Sequence, residues 1–420
     1  MPDSRLHNFH RLGLDERVAL LKEIGVLDEG DVDLLCKGLP LSVAERMAEN
    51  VISEQHLPLG VATNFKINGR GYLIPMATEE PSVIAAASHA AKLALPEGFV
   101  ASASRPVMRG QIQLANVLSP DDAIRKIMSS RDELIRKANG FAGSLPSLGG
   151  GVIDLGARII GKEEGMLVVE FYVDTRDAMG ANAINTIVER MSSEVERIAG
   201  GEAILRILSN LATERLAKAK VTYKRESIGG EGVVDRVIGA YRFACYDIYR
   251  AATHNKGIMN GVTAVALATS NDTRAVEAGA HAYASISGKY LPLSKWVKDA
   301  KGDLVGEIEM PLAVGILGGA IKVNPIAQIS LKILGVRSAT ELAEVICAVG
   351  LAQNFAALYA LVTEGIQKGH MKLHARGMAI AAGASGDDVD RVVDELLRGG
   401  DIRLSKAKEV IERLQLRSTR

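Results

Sequence analysis

The sequence is poor in the features that identify the commonest classes of protein. Aromatic residues make up only 4% of its 420 residues, so the core must rely on Ala, Val, Ile and Leu. Basic and acidic residues number 50 each, and this balance argues against nucleic acid or an anionic membrane as the main partner. The first residues contain no apolar run, so we expect no secretory signal.

The three cysteines also exclude some classes. Cys36, Cys245 and Cys347 stand far apart and form no CxxC pair. A disulfide framework or a zinc ribbon is therefore not expected, and a reducing compartment, the cytoplasm, is predicted. The sequence has no Walker A pattern, no GxSxG elbow and no GxGxxG fingerprint, so nothing indicates a P-loop, an α/β-hydrolase or a Rossmann domain.

One apolar segment is long enough to cross a bilayer. It covers residues 344–365, but Gln353 and Asn354 interrupt its middle. Polar side chains at that depth favour a helix buried in the core or in a subunit interface over a membrane span.

The N-terminal quarter mixes helical and strand patterns. Residues 42–45 have the form of a capping box, and Asn68-Gly69 separates two short strand patterns, which predicts a hairpin. Pro81 is expected in the first turn of the helix that follows.

From residue 106 the predicted elements alternate regularly. A strand, one helix over 119–139, two strands, a helix ended by Gly200-Gly201 and a last strand give the order β-α-β-β-α-β. This order is typical of a ferredoxin-like domain inserted into a larger one. Two further helices near the end, after a loop with Gly383 and Gly386, predict a mobile helical tail.

The predicted fold class is therefore α+β. A large, mostly helical mixed domain is expected over 1–105 and 210–369, a small inserted domain over 106–209 and a C-terminal tail over 370–420.

Three segments carry candidate chemistry. Residues 173–185 run from a strand through Gly180 into a helix, which is either a phosphate site at a helix N-terminus or an ordinary turn. Lys256 stands among small or uncharged residues, unlike a solvated surface lysine. Glu80 and Asp272 each precede a helix, so each is either a cap or, in an apolar cleft, an acid.

His370 and His374 lie one helical turn apart, but the glutamate of HExxH and a third ligand are missing, so no metal site is predicted.

Nine segments together resemble the 3-hydroxy-3-methylglutaryl-CoA (HMG-CoA) reductase family, in its soluble class II, across nearly the whole chain. They are ENVIS (49–53), EEPSVIAAAS (79–88), DAMGANAIN (177–185), LRILSN (205–210), YRAATHNKGIMNG (249–261), SNDTRAVEAGAHAY (270–283), GILGG (315–319), GLAQN (350–354) and TEGIQKGHMKLHA (363–375). The family's usual ENVIG ends here in Ser53.

The resemblance implies three sets of site residues. The catalytic set is Glu80, Lys256, Asp272 and His370. The substrate-binding set is Ser82, Arg250, Asn210 and Asn260. The cofactor-binding set is Asp177, Ala178, Met179, Gly180, Asn182 and Ala142, the last standing where NADH-preferring relatives have an aspartate. NADH versus NADPH therefore stays open, with Arg136 or Lys137 available to a 2′-phosphate.

The resemblance further implies a four-electron reduction of HMG-CoA to mevalonate and CoA with two NAD(P)H and no metal. It implies a homodimer, or a higher assembly of dimers, with active sites at the subunit interface. Two alternatives stay open at this point: a lyase that uses Lys256 as a Schiff-base nucleophile, and a regulator that binds CoA or a nucleotide without chemistry.

Overall fold

The computed structural model describes residues 4–363, 365–386 and 388–418, without the side chains of 366–373 and 415–418. The first elements are α1 (Leu14–Glu23), α2 (Glu29–Lys37), α3 (Leu41–Met47), β1 (Leu59–Ile67), β2 (Arg70–Ala77), α4 (Val83–Leu93) and β3 (Phe99–Ala103). The predicted hairpin is present, because β1 and β2 pair antiparallel around Asn68 and Gly69, both at positive φ.

The predicted capping box at Ser42 was wrong. Helix α3 begins at Leu41, so Ser42 lies inside it, and its N-cap is Pro40, which makes no side-chain cap. The reason is local: the fixed φ of a proline suits the entry to a helix, where its missing N–H costs little.

The second group of elements forms a separate four-stranded sheet. The elements are β4 (Val107–Ala115), α5 (Pro120–Ser129), α6 (Arg131–Asn139), β5 (Gly151–Gly161), β6 (Met166–Asp174), α7 (Ala181–Ala199) and β7 (Glu202–Ser209). The strand order is β5-β6-β4-β7, with all neighbours antiparallel, and the chain order is the predicted β-α-β-β-α-β. Ile112, Phe171 and Val188 are fully buried in the core between this sheet and its helices.

The single helix predicted over 119–139 is two helices. Ser130 breaks it at φ −96° and ψ 7°, and its N–H turns back to the carbonyls of Lys126 and Ile127 at 3.2 and 3.1 Å. The bond to Lys126 still has α-helical spacing, whereas the bond to Ile127 tightens the last turn. Ser129 Oγ also donates to the Lys126 carbonyl at 2.9 Å, the local side-chain bonding by which serine competes with a regular helix.

The third group completes the larger unit. The elements are β8 (Leu216–Tyr223), α8 (Glu231–Tyr246), α9 (Ile248–Ala268), α10 (Thr273–Ala284), β9 (Ser294–Lys298), β10 (Leu304–Pro311), α11 (Gly319–Val323), α12 (Pro325–Leu334) and α13 (Ala339–Val362). The sheet order is β2-β1-β3-β8-β10-β9, and β3 pairs antiparallel with β8. Segments on both sides of the smaller sheet thus share one larger sheet, so the smaller unit is an insertion between β3 and β8.

Helix α13 is the apolar segment noted in the sequence. Its length and composition would allow it to cross a membrane, but 72% of its most apolar 18-residue stretch is buried within the protein. It packs closely on α9, where a Cβ added to Gly261 or Gly350 would press against the facing helix. The prediction of a buried core helix is confirmed.

The C-terminal residues form α14 (Ile366–Ala381), α15 (Asp388–Gly399) and α16 (Leu404–Ser418). They have a small core of their own that includes Ala379, Val392 and Leu396.

Candidate active site

Lys256 lies in the middle of α9. Asp247 caps the helix, its carboxylate accepting the N–H of Arg250 at 2.7 Å, and burial of residues such as Ile258 holds the helix in place. The neighbours His254 and Asn255 are 1% and 0% exposed, whereas the Lys256 side chain is 57% exposed. The fold therefore fixes the backbone of α9 and leaves the ammonium accessible.

Glu80 reaches this lysine from the loop between β2 and α4. Its N–H donates to the Thr78 hydroxyl at 3.2 Å, and Ser82 then turns the chain into α4 at φ 75°, a conformation uncommon for residues other than glycine. Helix α4 begins at Val83, so Pro81 precedes the helix and the prediction that it lies in the first turn was wrong. Glu80 does not cap the helix either, because Ser82 holds that position.

The two side chains form the central contact of the site. Lys256 Nζ lies 2.6 Å from Glu80 Oε2, and Asn260 Nδ2 lies 3.4 Å from Glu80 Oε1. Lys256 and Asn260 are four residues apart on one helix face, so both oxygens of the carboxylate meet donors from the same helix. The arrangement places an ammonium and a carboxyl group where one reacting oxygen can contact both.

Asp272 does not join this pair within one chain. Its carboxylate caps α10, accepting from the N–H groups of Arg274 and Ala275 at 3.0 and 3.1 Å. Among the described residues it makes no hydrogen bond or ion pair with Lys256 or Glu80. The capping alternative for Asp272 is therefore confirmed, and its place in the catalytic set stays a prediction.

Two other predicted substrate residues, Arg250 and Asn210, lie in different elements of the larger fold. Arg250 is half-buried in the first turn of α9, and burial lowers the pKa of its guanidinium. Asn210 follows β7 and abuts α10, since a Cβ added to Gly279 would lie 2.6 Å from the Asn210 carbonyl oxygen. The fold does not bring Asn210 into hydrogen-bond contact with Glu80 or Lys256 among the described residues.

A buried polar network under Lys256 was missed by sequence reasoning. His254 Nε2 lies 2.7 Å from Ser294 Oγ and 3.1 Å from Asn354 Nδ2, and Trp296 Nε1 donates to Asn354 Oδ1 at 2.7 Å. Burial, with the nearby charge of Arg250, lowers the pKa of His254 to about 3, so the imidazole is neutral. The polar residues inside the apolar helix were the available signal for this network, which joins α9, α13 and β9.

A large open cavity adjoins Glu80. It has a volume of about 1890 Å³ and lies between the N-terminal segment, the β2–α4 loop and α12. Its lining includes Glu80 and Ser82 and, from the ENVIS segment, Val51 and Ser53. Two of the motifs singled out in the sequence thus border the same space.

The turn before α7 has the geometry of an anion site. Gly180 caps the helix at φ 96°, and a Cβ there would lie 2.7 Å from Thr175 Cβ and closer still to its methyl group. Only glycine fits this conformation, which opens the first free N–H groups of α7, including that of the exposed Asn182, toward a ligand. These residues fit the pyrophosphate of a dinucleotide, because aligned N–H groups at a helix start favour an anion.

Asp177 ties this turn to the larger unit. Its carbonyl accepts from the N–H groups of Ile316 and Leu317 at 2.9 and 3.2 Å, and its Oδ1 accepts from Ala339 N at 2.9 Å. Ala178 also forms a bridge with Leu317. At least one oxygen of the Asp177 carboxylate therefore caps α13, a use that the sequence did not predict.

A second residue at this turn was also missed. Arg215 is 4% exposed and directs its guanidinium at the carbonyls of Ala178, Met179 and Val314. In sequence it belongs to a charged stretch, TERLAKAK, which has the pattern of a half-exposed strand, so nothing marked it as buried.

Ala142 lies in the core of the smaller unit and is 2% exposed. Among its basic neighbours, Lys137 is paired with Glu133 and Glu194 at 3.1 and 2.7 Å. Arg136 is exposed and has no ion pair among the described residues. The structure therefore leaves Arg136 freer than Lys137 to meet a phosphate.

His370 lies in α14, but its side chain is outside the described part of the structure, so its place in the site stays a prediction. Within the described residues, no group of three or more His, Cys, Asp or Glu side chains is arranged to hold a metal ion.

Comparisons with known proteins show which family the chain belongs to. The family model for hydroxymethylglutaryl-coenzyme A reductase matches residues 13–375. The chain is 55% identical to the 3-hydroxy-3-methylglutaryl-coenzyme A reductase of Archaeoglobus fulgidus over 415 residues, 98% of this chain and 95% of that protein. It is 42% identical to a probable reductase of the same name from Borreliella burgdorferi over 78% of this chain and 76% of that one.

A solved structure is also similar over nearly the full length. It is the class II 3-hydroxy-3-methylglutaryl-CoA reductase of Streptococcus pneumoniae bound to NADPH, 41% identical, with a TM-score of 0.82 over 96% of this chain and 100% of that one. The chain therefore belongs to the hydroxymethylglutaryl-coenzyme A reductase family and has its class II fold.

Proposed function

We propose that the protein is an NAD(P)H-dependent reductase that converts HMG-CoA to mevalonate and CoA. The observation that carries this proposal is the contact between Lys256 and Glu80 at 2.6 Å, with Asn260 at the second carboxylate oxygen. Reduction of a thioester to an alcohol takes four electrons, so two molecules of cofactor are consumed.

The dinucleotide, when bound, supplies the hydride. Lys256 stabilises the negative charge that develops on the thioester oxygen, because a fixed cation next to an oxyanion lowers the barrier to its formation. Asn260, on the same face of α9, holds the Glu80 carboxyl group in place for the substrate.

Glu80 gives the proton that the alkoxide needs after the second reduction. We propose that Asp272 reaches the pair from a second copy of the chain, since within one copy it caps α10 and makes no hydrogen bond or ion pair with Lys256 or Glu80 among the described residues.

His370 protonates the departing CoA thiolate, because histidine titrates near neutral pH. Its place beside the C-terminal helices makes residues 370–420 a flap that closes for chemistry and opens for cofactor exchange. Arg250 pairs with the free carboxylate of the substrate through its planar guanidinium, and Ser82 and Asn210 complete the substrate contacts.

The dinucleotide binds to the small domain, residues 106–209, at Asp177–Gly180 and Asn182. Ala142 leaves no carboxylate to repel a 2′-phosphate there, and Arg136 is available to attract it. The preference between NADH and NADPH therefore has to be measured with each cofactor separately.

The protein acts in the cytoplasm as a homodimer. An apolar patch supports a subunit interface: Phe243, Tyr246, Ile248 and Tyr249, at the junction of α8 and α9, are 57% to 87% exposed. A contiguous exposed apolar surface of this kind marks an interaction site, and this one adjoins the helix that carries Lys256.

The test is the near-ultraviolet absorbance of NADH, and separately of NADPH, on mixing with enzyme and HMG-CoA. We expect loss of two cofactors for each CoA thiol released, and no loss when HMG-CoA is omitted. The faster cofactor answers the question raised by Ala142.

Two results would overturn the assignment. Binding of HMG-CoA with no oxidation of either cofactor would favour the regulator. Borohydride trapping of a carbonyl substrate on Lys256 would favour the Schiff-base lyase, because the reductase needs no covalent lysine adduct.

A further inference from the structure

We propose that Arg215 is a positioning residue for the dinucleotide pyrophosphate, acting from behind the turn Asp177–Gly180. This inference rests on the proposed function, because it takes that turn as the cofactor site. Arg215 stands just before β8, where the chain leaves the smaller unit, and it is 4% exposed.

The hydrogen bonds of Arg215 set the orientation of the turn. Its Nη1 lies 3.2 Å from the carbonyl oxygens of both Ala178 and Met179 and 2.9 Å from Thr175 Oγ1. In a trans peptide the N–H of the next residue points opposite to the carbonyl. Drawing these two carbonyls toward the guanidinium therefore directs the N–H groups of Met179 and Gly180 away from it, to the other side of the turn.

The same guanidinium fixes the turn to the larger unit. Its Nη2 donates to the carbonyl of Val314, in the segment that follows β10. Leu312 N also donates to the Arg215 carbonyl at 3.0 Å, so backbone and side chain hold the same segment. One side chain thus sets the position of the cofactor turn relative to the unit that carries Lys256.

The charge of Arg215 has no carboxylate directly bound to it among the described residues. Its hydrogen bonds go to neutral oxygens, while nearby Asp174 is bound by Arg105 at 2.5 Å and Asp177 accepts from Ala339 N. A cation held in a dry interior without a bound partner is costly and raises the local potential. A diphosphate on the outer side of the turn offsets this cost, which makes cofactor binding and the burial of Arg215 mutually favourable.

Burial lowers the pKa of Arg215 to about 10, against the opposing effect of Asp174 and Asp177. The guanidinium is therefore still protonated at neutral pH, as the electrostatic part of the argument requires.

The experiment compares equilibrium binding of NADPH, followed by its fluorescence, with binding of HMG-CoA, followed by calorimetry. The variants are Arg215→Lys and Arg215→Met in the full chain. We expect NADPH affinity to fall about tenfold or more for Arg215→Met and less for Arg215→Lys, which keeps the charge but not the planar fork. The dependence of NADPH binding on salt should weaken for Arg215→Met, and HMG-CoA affinity should stay within about twofold for both.

The matched control is Arg109→Met. Arg109 is a half-buried arginine on β4 of the small sheet, paired with Glu170 and Glu214, and among the described residues it makes no hydrogen bond to the turn. Its loss should leave NADPH affinity within about twofold, because its guanidinium is bound to carboxylates and, among the described residues, makes no hydrogen bond to the turn.

Equal loss of NADPH and HMG-CoA affinity in Arg215→Lys would mean that Arg215 only supports the fold, and unchanged NADPH affinity in Arg215→Met would also overturn the inference. If Arg215→Met does not fold, Arg215→Lys decides the matter alone. Failure of the wild-type protein to oxidise either cofactor is a different result, because it would remove the proposed function itself.

Discussion

Lys256 and Arg215 are two cations of one proposed site, and the fold treats them in opposite ways. The Lys256 side chain is 57% exposed and contacts a carboxylate, Glu80, at 2.6 Å. Arg215 is 4% exposed and contacts carbonyl and hydroxyl oxygens. The first is presented to a substrate, whereas the second is enclosed by the backbone that it orients.

The difference follows from what each group must do. A cation that stabilises an oxyanion has to touch the reacting atom, so it needs an open position on a rigid helix. A cation that shapes an anion site can act through the peptide groups in front of it, and burial then strengthens its field. The two positions should therefore affect different measured quantities when they are changed.

The largest effect is expected for Lys256→Met. Loss of the ammonium should lower kcat by about 10²- to 10³-fold, as removal of one oxyanion donor does in other enzymes. Stability should change by less than about 0.5 kcal/mol, because the side chain is largely exposed. Steady-state kinetics and thermal unfolding measure the two quantities.

Lys289→Met is the control for this change, because Lys289 is an exposed lysine outside the site. A wild-type kcat in Lys256→Met would show that Lys256 is not catalytic. It would also contradict a catalytic role for its contact with Glu80.

A smaller effect is expected for Gly180→Ala, which changes the turn itself. Alanine there adds backbone strain at φ 96° and a collision with Thr175. Together these should cost about 2–4 kcal/mol, either as a lower free energy of unfolding or as a displaced turn. NADPH affinity should fall with it, as measured by fluorescence titration.

Gly25→Ala separates strain from collision. Gly25 also has a positive φ, 75°, but a Cβ there meets nothing within 4 Å. It should cost only about 1 kcal/mol of stability and leave NADPH affinity unchanged. Equal effects of the two substitutions on NADPH binding would show that the turn is not the cofactor site.

The smallest effect concerns His254, whose buried network supports Lys256 from below. Its folded pKa of about 3 lies below the unfolded value of about 6.5, so folding favours the neutral imidazole. The stability it contributes is complete above pH 6.5 and is lost as the pH falls from 6.5 toward 3, because the unfolded chain then binds a proton that the folded chain excludes. Well below pH 6.5 the loss is about 1.4 kcal/mol for each pH unit.

His254→Gln should flatten the dependence of unfolding free energy on pH between 6.5 and 5, as measured by urea titration. His56→Gln is the control, because the His56 side chain is 81% exposed. An unchanged slope in His254→Gln would mean that another group dominates this pH range.

Local pattern in the sequence was sufficient for most of the fold. The hairpin at Asn68-Gly69, the β-α-β-β-α-β order from residue 106 and the buried helix around Asn354 were all predicted from periodicity and turn residues. The errors were also local. Ser42 was predicted to cap α3 but lies inside it, and Pro81 was predicted in the first turn of α4 but precedes it. Ser130 divides a helix that was expected to be continuous.

The site could be predicted only in part, because its parts meet across long sequence distances. Motif resemblance brought Glu80 and Lys256 together correctly, although 176 residues separate them. It did not show that Asp272 lies apart from Glu80 and Lys256 within one chain, nor that Asp177 caps α13. Arg215 carried no signal, since burial of a charged residue depends on the backbone around it and not on its neighbours in sequence.

The most direct test of this account is a single comparison of kcat and of NADPH dissociation constant in Lys256→Met and Arg215→Lys. We predict a crossed result: Lys256→Met lowers kcat and keeps the dissociation constant, whereas Arg215→Lys raises the dissociation constant and keeps most of kcat at saturating NADPH. A lower kcat alone in both variants, or a higher dissociation constant alone in both, would contradict the division between an exposed reacting cation and a buried positioning one.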